Sequence, residues 1–143
     1  MSNFIPIDHK DSDPEYRAAV RKNVESIVRE PLLKVDDPQL LVGRWQLSFP
    51  GLPSMKAPIY EFQSDGTFST SYGPPDEEHP SRWEIKRGEA MLQTTWCPPI
   101  PEYEIEEGSY SGDAYHCAWL ASGRFVLWNG DSIAIQVFSP VAS

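Results

Sequence analysis

Three histidines, His9, His79 and His116, and two cysteines, Cys97 and Cys117, are the side chains of this 143-residue chain best suited to metal or nucleophilic chemistry. No histidine has a second ligand at metal spacing. His116 and Cys117 are adjacent, and neighbours on a strand point to opposite faces. A site shared with Cys97 is therefore disfavoured against one buried histidine and two reduced, buried thiols. A haem held by His116 would rest on that one side chain. The acid pairs, Glu77 with Glu78 and Glu106 with Glu107, fall in connections or at strand ends, where solvated charge is the default. A glycosidase needs two carboxyls facing each other across a cleft, which adjacency in sequence does not provide. The sequence holds no nucleophile elbow, phosphate-cradling glycine loop or dinucleotide fingerprint. The expectation is a chain with no catalytic residues, metal or cofactor; an acid–base isomerase or lyase is the weaker alternative.

Aromatic residues are more informative: five Trp, six Tyr and six Phe, mostly in strand-like stretches. Such rings either fill a core or line a pocket that grips a planar, hydrophobic or cationic molecule. The pocket candidates are Trp83, Trp96, Tyr103, Tyr115 and Trp119, with His116 and Arg124 as polar anchors.

A net charge of −9 argues against a nucleic-acid or anionic-membrane surface. Residues 1–41 hold six Lys/Arg against eight Asp/Glu, so most of the excess acid lies in the remainder. Solubility explains it most simply. The acidic stretches 76–78 and 104–107 also suit a basic protein partner, which would make the chain an immunity- or inhibitor-like interaction module. A homodimer through the N-terminal helix or a strand edge is a variant of that reading. No apolar run approaches the roughly 20 residues of a membrane span. The first ten residues lack the positively charged start of a secretory leader, so the expected location is the cytoplasm, with both thiols reduced.

The elements that must position these residues follow from periodicity. Asp13-Pro14-Glu15 reads as a helix start, an Asp N-cap before Pro and an acid in the first turn. Tyr16, Ala19, Val20, Asn23, Val24 and Ile27 then share a face, and the helix ends before Pro31. Asp36-Asp37-Pro38 caps a final short turn. From Gly43 the period changes to two, with Trp45, Leu47 and Phe49 on one side. Strands are expected over 57–63, 67–72, 81–87, 90–96 (Leu92, Thr94 and Trp96 in phase), around Tyr103 and Ile105, and over 114–120, 124–128 and 132–138. Asp65-Gly66, Gly88-Glu89, residues 108–112, Ser122-Gly123 and Asn129-Gly130 supply turns, and the proline-rich stretches 73–80 and 97–101 supply loops. Residues 114–120 are almost wholly apolar, so both faces are expected to be covered.

About eight or nine strands in an unbroken meander, with no second helical pattern, leave no length for parallel crossovers. The chain is mainly β: a single antiparallel up-and-down barrel after an N-terminal helix. The expected division is one domain, with 1–41 as arm and helix and 42–139 as barrel. Gly43-Arg44-Trp45 resembles the G-x-W signature that opens the first strand of lipocalin-like, or wider calycin-type, barrels. The resemblance implies that Trp45 plugs the barrel floor beneath the preceding helix, with Gly43 admitting a second backbone. It also implies an arginine packed over the tryptophan, for which Arg124 is the candidate, and a small hydrophobic or aromatic ligand held inside. Unlike typical lipocalins, the chain has no helix pattern after its last strand.

Overall fold

The computed structural model of the chain describes residues 13–50, 58–71, 78–129 and 135–141. Helix α1 spans Pro14–Val28 and starts as its sequence dictates: Asp13 Oδ1 accepts from the Glu15 N–H at 3.0 Å, with Pro14 in the first turn. It ends where Arg29 takes a left-handed conformation, φ 60°, and donates its N–H to the Glu25 carbonyl. The buried row is Val20, Val24 and Val28 with Tyr16 packed beside it, while Ala19, Asn23 and Ile27 stay exposed. The apolar stripe is thus rotated from the expected one. Arg21 and Glu25 occupy the other flank because the chain turns back beside them. Arg21 Nη2 donates to the Leu32 carbonyl at 2.9 Å, and Leu32 N–H donates to Glu25 Oε2 at 3.1 Å. Satisfying that buried backbone outweighs the preference of two charged side chains for water.

The returning segment then runs under the barrel. Leu33 exchanges both backbone bonds with Trp119, at 2.9 and 2.8 Å, and Val35 N–H donates to the Gly88 carbonyl. A single 3-10 turn, Pro38–Leu41, is capped by Asp37, whose carboxylate accepts from Gln39 N–H. Leu41 enters the core fully buried.

Eight strands follow in chain order: β1 Gly43–Ser48, β2 Ile59–Phe62, β3 Thr67–Thr70, β4 Ser81–Lys86, β5 Ala90–Cys97, β6 Ser109–Trp119, β7 Phe125–Trp128 and β8 Gln136–Pro140. Each pairs antiparallel with the next, and β8 pairs back to β1 with Leu47 opposite Phe138, so the sheet closes into a barrel. Closure leaves no long unpaired edge, the liability of any open meander. The tight turns behave as their residues require. Asp65 Oδ1 accepts from both N and Oγ1 of Thr67 while Gly66 takes φ 90°. Arg87 and Gly88 both have positive φ, 56° and 68°, matching the twist of β4 and β5.

Several sequence expectations are corrected. No strand forms at Tyr103 and Ile105. A 3-10 turn, Pro101–Tyr103, stands there instead, leaving Tyr103 75% and Ile105 44% exposed. Pro98, Pro99 and Pro101 withhold ladder donors, and Ile100 and Ile105 form an isolated bridge, with the Ile100 carbonyl also accepting from the Tyr103 N–H. Residues 109–112, expected as a turn, open the long strand β6. Gly43 admits no second backbone, since a Cβ there would meet only Trp45 Nε1 at 4.0 Å; its glycine is required by φ 137°. The Asn129-Gly130 turn lies partly outside the described residues, as do residues 73–77 of the 73–80 loop. Strands β7 and β8 pair with Leu127 opposite Gln136, a register that leaves a longer connection than the two-residue hairpin expected at Asn129-Gly130.

Two apolar layers share the barrel wall. Inside lie Trp45, Leu47, Phe62, Phe68, Trp83, Met91, Cys117, Phe125, Leu127 and Phe138. Outside, α1 lays its three valines on Ala118, Leu120, Val126, Trp128, Ile135 and Val137. Each buried valine contributes about 1.5 kcal/mol or more. This explains why all four residues of β7 are buried: Phe125 and Leu127 face in, Val126 and Trp128 face the helix. Helix α1 therefore covers the wall, and Trp45 does not lie beneath it. The floor is closed by Val35 and Leu41, and Trp45 Nε1 donates to the Leu41 carbonyl at 2.9 Å.

Candidate ligand site at the barrel mouth

In an up-and-down barrel alternate connections lie at opposite ends. At the floor end the links between β2 and β3, β4 and β5, and β6 and β7 are short. The connections at the other end, 49–58, 71–80, 98–108 and 129–135, are all longer. The floor half is packed with rings: Phe125 stacks on Phe138 at 4.5 Å, Trp45 meets Phe125 edge-on at 4.8 Å, and Trp83 meets Phe62 at 5.3 Å. Offset and edge-on pairs of this kind leave little void and fix ring orientation.

Toward the mouth the inner surface changes chemistry. Along β5 the inward set is Met91, Gln93 and Thr95, and along β6 it is Cys117, Tyr115, Asp113 and Ser111. The register pairs Met91 with Tyr115, Gln93 with Asp113, and Thr95 with Ser111. Met91 and Cys117 are buried, whereas Thr95 and Asp113 are exposed, so this wall passes from dry floor to solvent within a few residues. Gln93 is only 8% exposed, yet its one side-chain hydrogen bond among the described residues runs from Nε2 to Met91 Sδ at 3.3 Å. Sulfur is a weak acceptor, so most of that amide's bonding capacity is unused.

A second underused amide stands nearby. Asn129 follows Trp128, the partner of His116, and so comes alongside Tyr115 on the neighbouring strand. Its Oδ1 is buried and has no hydrogen-bond partner among the described residues. Burial pushes the Tyr115 phenol up to about 12, with the Asp113 carboxylate and Tyr60 adding to the shift. Tyr115 is therefore a neutral hydrogen-bonding group at any ordinary pH. Tyr60 links the two zones: its ring stacks on Phe68 at 6.0 Å and meets Phe138 edge-on at 5.2 Å, at the lower limit of the polar wall. The arrangement offers an aromatic floor, two amides, a phenol and a carboxylate at the rim. These are hydrogen-bonding groups; no metal-holding cluster of His, Cys, Asp and Glu occurs among the described residues.

The seven residues singled out from the sequence do not form one site. Trp83 and Trp119 face inward but belong to the packed floor: Trp83 Nε1 donates to the Gln63 carbonyl at 3.1 Å, and Trp119 meets Trp45 edge-on at 6.3 Å. Tyr115 is the one that reaches the polar wall. Trp96 lies on the outer surface, stacked on His79 at 3.8 Å with Tyr110 edge-on at 5.1 Å. Tyr103 stands in solvent. His116 is on the outer face, stacked on Trp128 at 5.4 Å. Arg124 does not pack over Trp45; it binds Glu30 and the Val28 carbonyl beside the end of α1. Both cysteines are free, as expected, but Cys97 is exposed; Cys117 is buried and its thiol is pushed up to about 12.

Trp96 sets the expected phase of β5 and so hides Gln93, while Asp113 falls beside an expected turn and Asn129 within one. Placing Leu92, Thr94 and Trp96 inward hides the polar set; the structure reverses that phase. The available signal was Gln93 two residues after Met91, a polar side chain in an otherwise core-compatible position.

Fold and site define a closed eight-stranded antiparallel barrel with a packed aromatic floor, a polar mouth and one helix against its wall. No helix among the described residues is long and apolar enough to cross a membrane. No family model, curated protein or solved structure matches the chain.

Proposed function

We propose that this is a lipocalin-like binding protein that holds one small molecule at the mouth of its barrel. The ligand has an apolar or aromatic body, which rests on Tyr60 and the rings below, and a hydrogen-bonding head, which meets Gln93, Asn129, Tyr115 and Asp113. One observation carries this reading: above an aromatic floor the buried Asn129 Oδ1 has no hydrogen-bond partner among the described residues, and the buried Gln93 side chain bonds there only to a thioether sulfur. Buried polar groups are nearly always satisfied, and an unsatisfied one costs about 1–3 kcal/mol, so the Asn129 acceptor favours an occupant that supplies its missing partner. The Asn129 acceptor, without a partner among the described residues, and the Asp113 carboxylate both favour a donor, so the head carries N–H or O–H groups, or a positive charge.

Tryptophan fluorescence titrated with 2-naphthylethylamine, 2-naphthol and the headless 2-ethylnaphthalene tests this. The two donor-bearing probes are expected to bind saturably at one site, and 2-ethylnaphthalene more weakly. Gln93→Leu and Asn129→Leu should each weaken the donor-bearing probes by roughly tenfold, the worth of one buried hydrogen bond. Equal binding of all three probes, or no saturable response to any, would count against the proposal.

A further inference from the structure

A groove lies outside the barrel, between the first half of α1 and the outer faces of β6 and β7. It is open to solvent on one side, has a volume of about 420 Å³ and is lined by Pro14, Arg17, Ala18, Arg21, Glu89, His116 and Trp128. That volume falls within the range of small-molecule pockets. The helix residues are spaced i, i+3, i+4 and i+7, which places them on one face. The small Ala18 leaves a notch between the two arginines. Opposite them, His116 and Trp128 are register partners on β6 and β7, with rings stacked 29° apart. The third side is Glu89, whose carboxylate stands 3.8 Å from Lys34 Nζ. Two guanidiniums line the groove against one carboxylate, which Lys34 also faces, so it is a locally positive patch on a chain of net charge −9.

The arginines are not equivalent. Arg21 is committed through Nη2 to the Leu32 carbonyl, which fixes its guanidinium at the groove wall. Arg17 has no side-chain partner among the described residues and is exposed, so its planar fork is available. Two guanidiniums one helical turn apart match the oxygens of a carboxylate or phosphate, and arginine forks bind such groups in a bidentate manner. The half-buried His116 ring, backed by the buried Trp128 indole, forms the wall that a flat group can meet.

From this juxtaposition we propose that the groove between α1 and the barrel wall binds a small planar ring bearing an anionic group, with the anion held by Arg17 and Arg21 and the ring set against His116, which Trp128 backs. The site is separate from the barrel mouth, because His116 and Trp128 lie on the outer faces of β6 and β7 while Tyr115 and Cys117 face inward. It stands whether or not the mouth takes a ligand.

The test is a two-dimensional NMR titration of the ¹⁵N-labelled chain with 1-naphthoate, adenosine monophosphate and inorganic phosphate. Saturable shifts of the Arg17, Ala18, Arg21 and His116 amides and the Trp128 indole N–H are expected with 1-naphthoate, with adenosine monophosphate or with both. Whichever binds identifies the anion as carboxylate or phosphate. Inorganic phosphate should bind more weakly than the ring-bearing ligand. Arg17→Gln, at an exposed position that carries no core contact, should weaken binding by roughly tenfold. Ala18→Leu, which fills the notch without changing charge, should abolish it. Gln93→Leu should leave it unchanged. The proposal is overturned if neither ring-bearing probe shifts these resonances saturably, if Arg17→Gln binds as the parent does, if phosphate alone binds as tightly, or if Gln93→Leu removes the response.

Discussion

Glu30 joins the end of α1 to the turn between β6 and β7, and removing its carboxylate measures how firmly the helix is held to the barrel. Its Oε1 accepts from Ser122 N–H at 3.0 Å, its Oε2 accepts from Ser122 Oγ at 2.6 Å, and Arg124 Nη2 also donates to Oε2. Arg124 Nε in turn donates to Ser122 Oγ at 3.1 Å, which completes a small network. The Glu30 and Arg124 side chains are 19% and 31% exposed, so water screens the pair only in part. Three acceptor contacts at rather less than 1 kcal/mol each, after that screening, give about 2 kcal/mol for Glu30→Ala. An unfolding entropy of about 2.1 cal/mol/K per residue converts this to a fall in Tm of about 7 °C. The pH dependence has a definite sign. Hydrogen bonds from Ser122 and then Arg124 hold the Glu30 carboxyl below its ordinary value. Its stabilising effect is therefore fully present above the unfolded-state pKa and is lost as pH falls through the folded-state value. Glu30→Gln should lie between the parent and Glu30→Ala at neutral pH, and should lose less stability on acidification. Urea unfolding at several pH values, followed by far-ultraviolet circular dichroism, reads both effects. If Glu30→Ala lies within about 0.3 kcal/mol of the parent, the resolution of such comparisons, the network does not hold the helix.

Other expectations follow from single sites. Gly88→Ala should cost more than Gly66→Ala in denaturant unfolding. Both positions have positive φ, which costs alanine about 1 kcal/mol, but a Cβ at Gly88 would come within 2.8 Å of the Val35 carbonyl oxygen and one at Gly66 no nearer than 3.8 Å. A thiol reagent should modify one cysteine rapidly in the native chain, the exposed Cys97, and reach the buried Cys117 only on unfolding. Two fast native thiols would show that the barrel wall opens. The raised Tyr115 phenol means that the unfolded chain ionises first as pH climbs, so stability should fall between pH 10 and about 12. Tyr115→Phe should flatten that fall, and an unchanged alkaline limb in the variant would place the phenol in solvent.

Local chemistry made most of the fold legible in the sequence. Asp13-Pro14 announced α1, Asp65-Gly66 and Gly88-Glu89 announced their turns, and the two-residue period from Gly43 announced the opening strand. What failed was facing. Leu92 is half-buried on the outer surface, so an apolar side chain there did not reveal which face of β5 looks inward. The stripe of α1 was displaced because Arg21 and Glu25 serve the Leu32 backbone, a contact set by how the chain returns after the helix. Aromatic type proved a poor guide to position, since the same indole plugs the floor at Trp83, braces an outer stack at Trp96 and meets the helix at Trp128. The mouth depends on pairs distant in sequence, such as Gln93 with Asp113, and only strand register brings those together.

The side-chain amide resonances of Gln93 and Asn129 test the central claim most directly. On addition of 2-naphthylethylamine to the ¹⁵N-labelled chain, both NH₂ groups should shift saturably with one common dissociation constant, together with the backbone amides of Asp113 and Tyr115. The contradicting result is a saturable response confined to other residues, with these two amides unmoved, or no response at all.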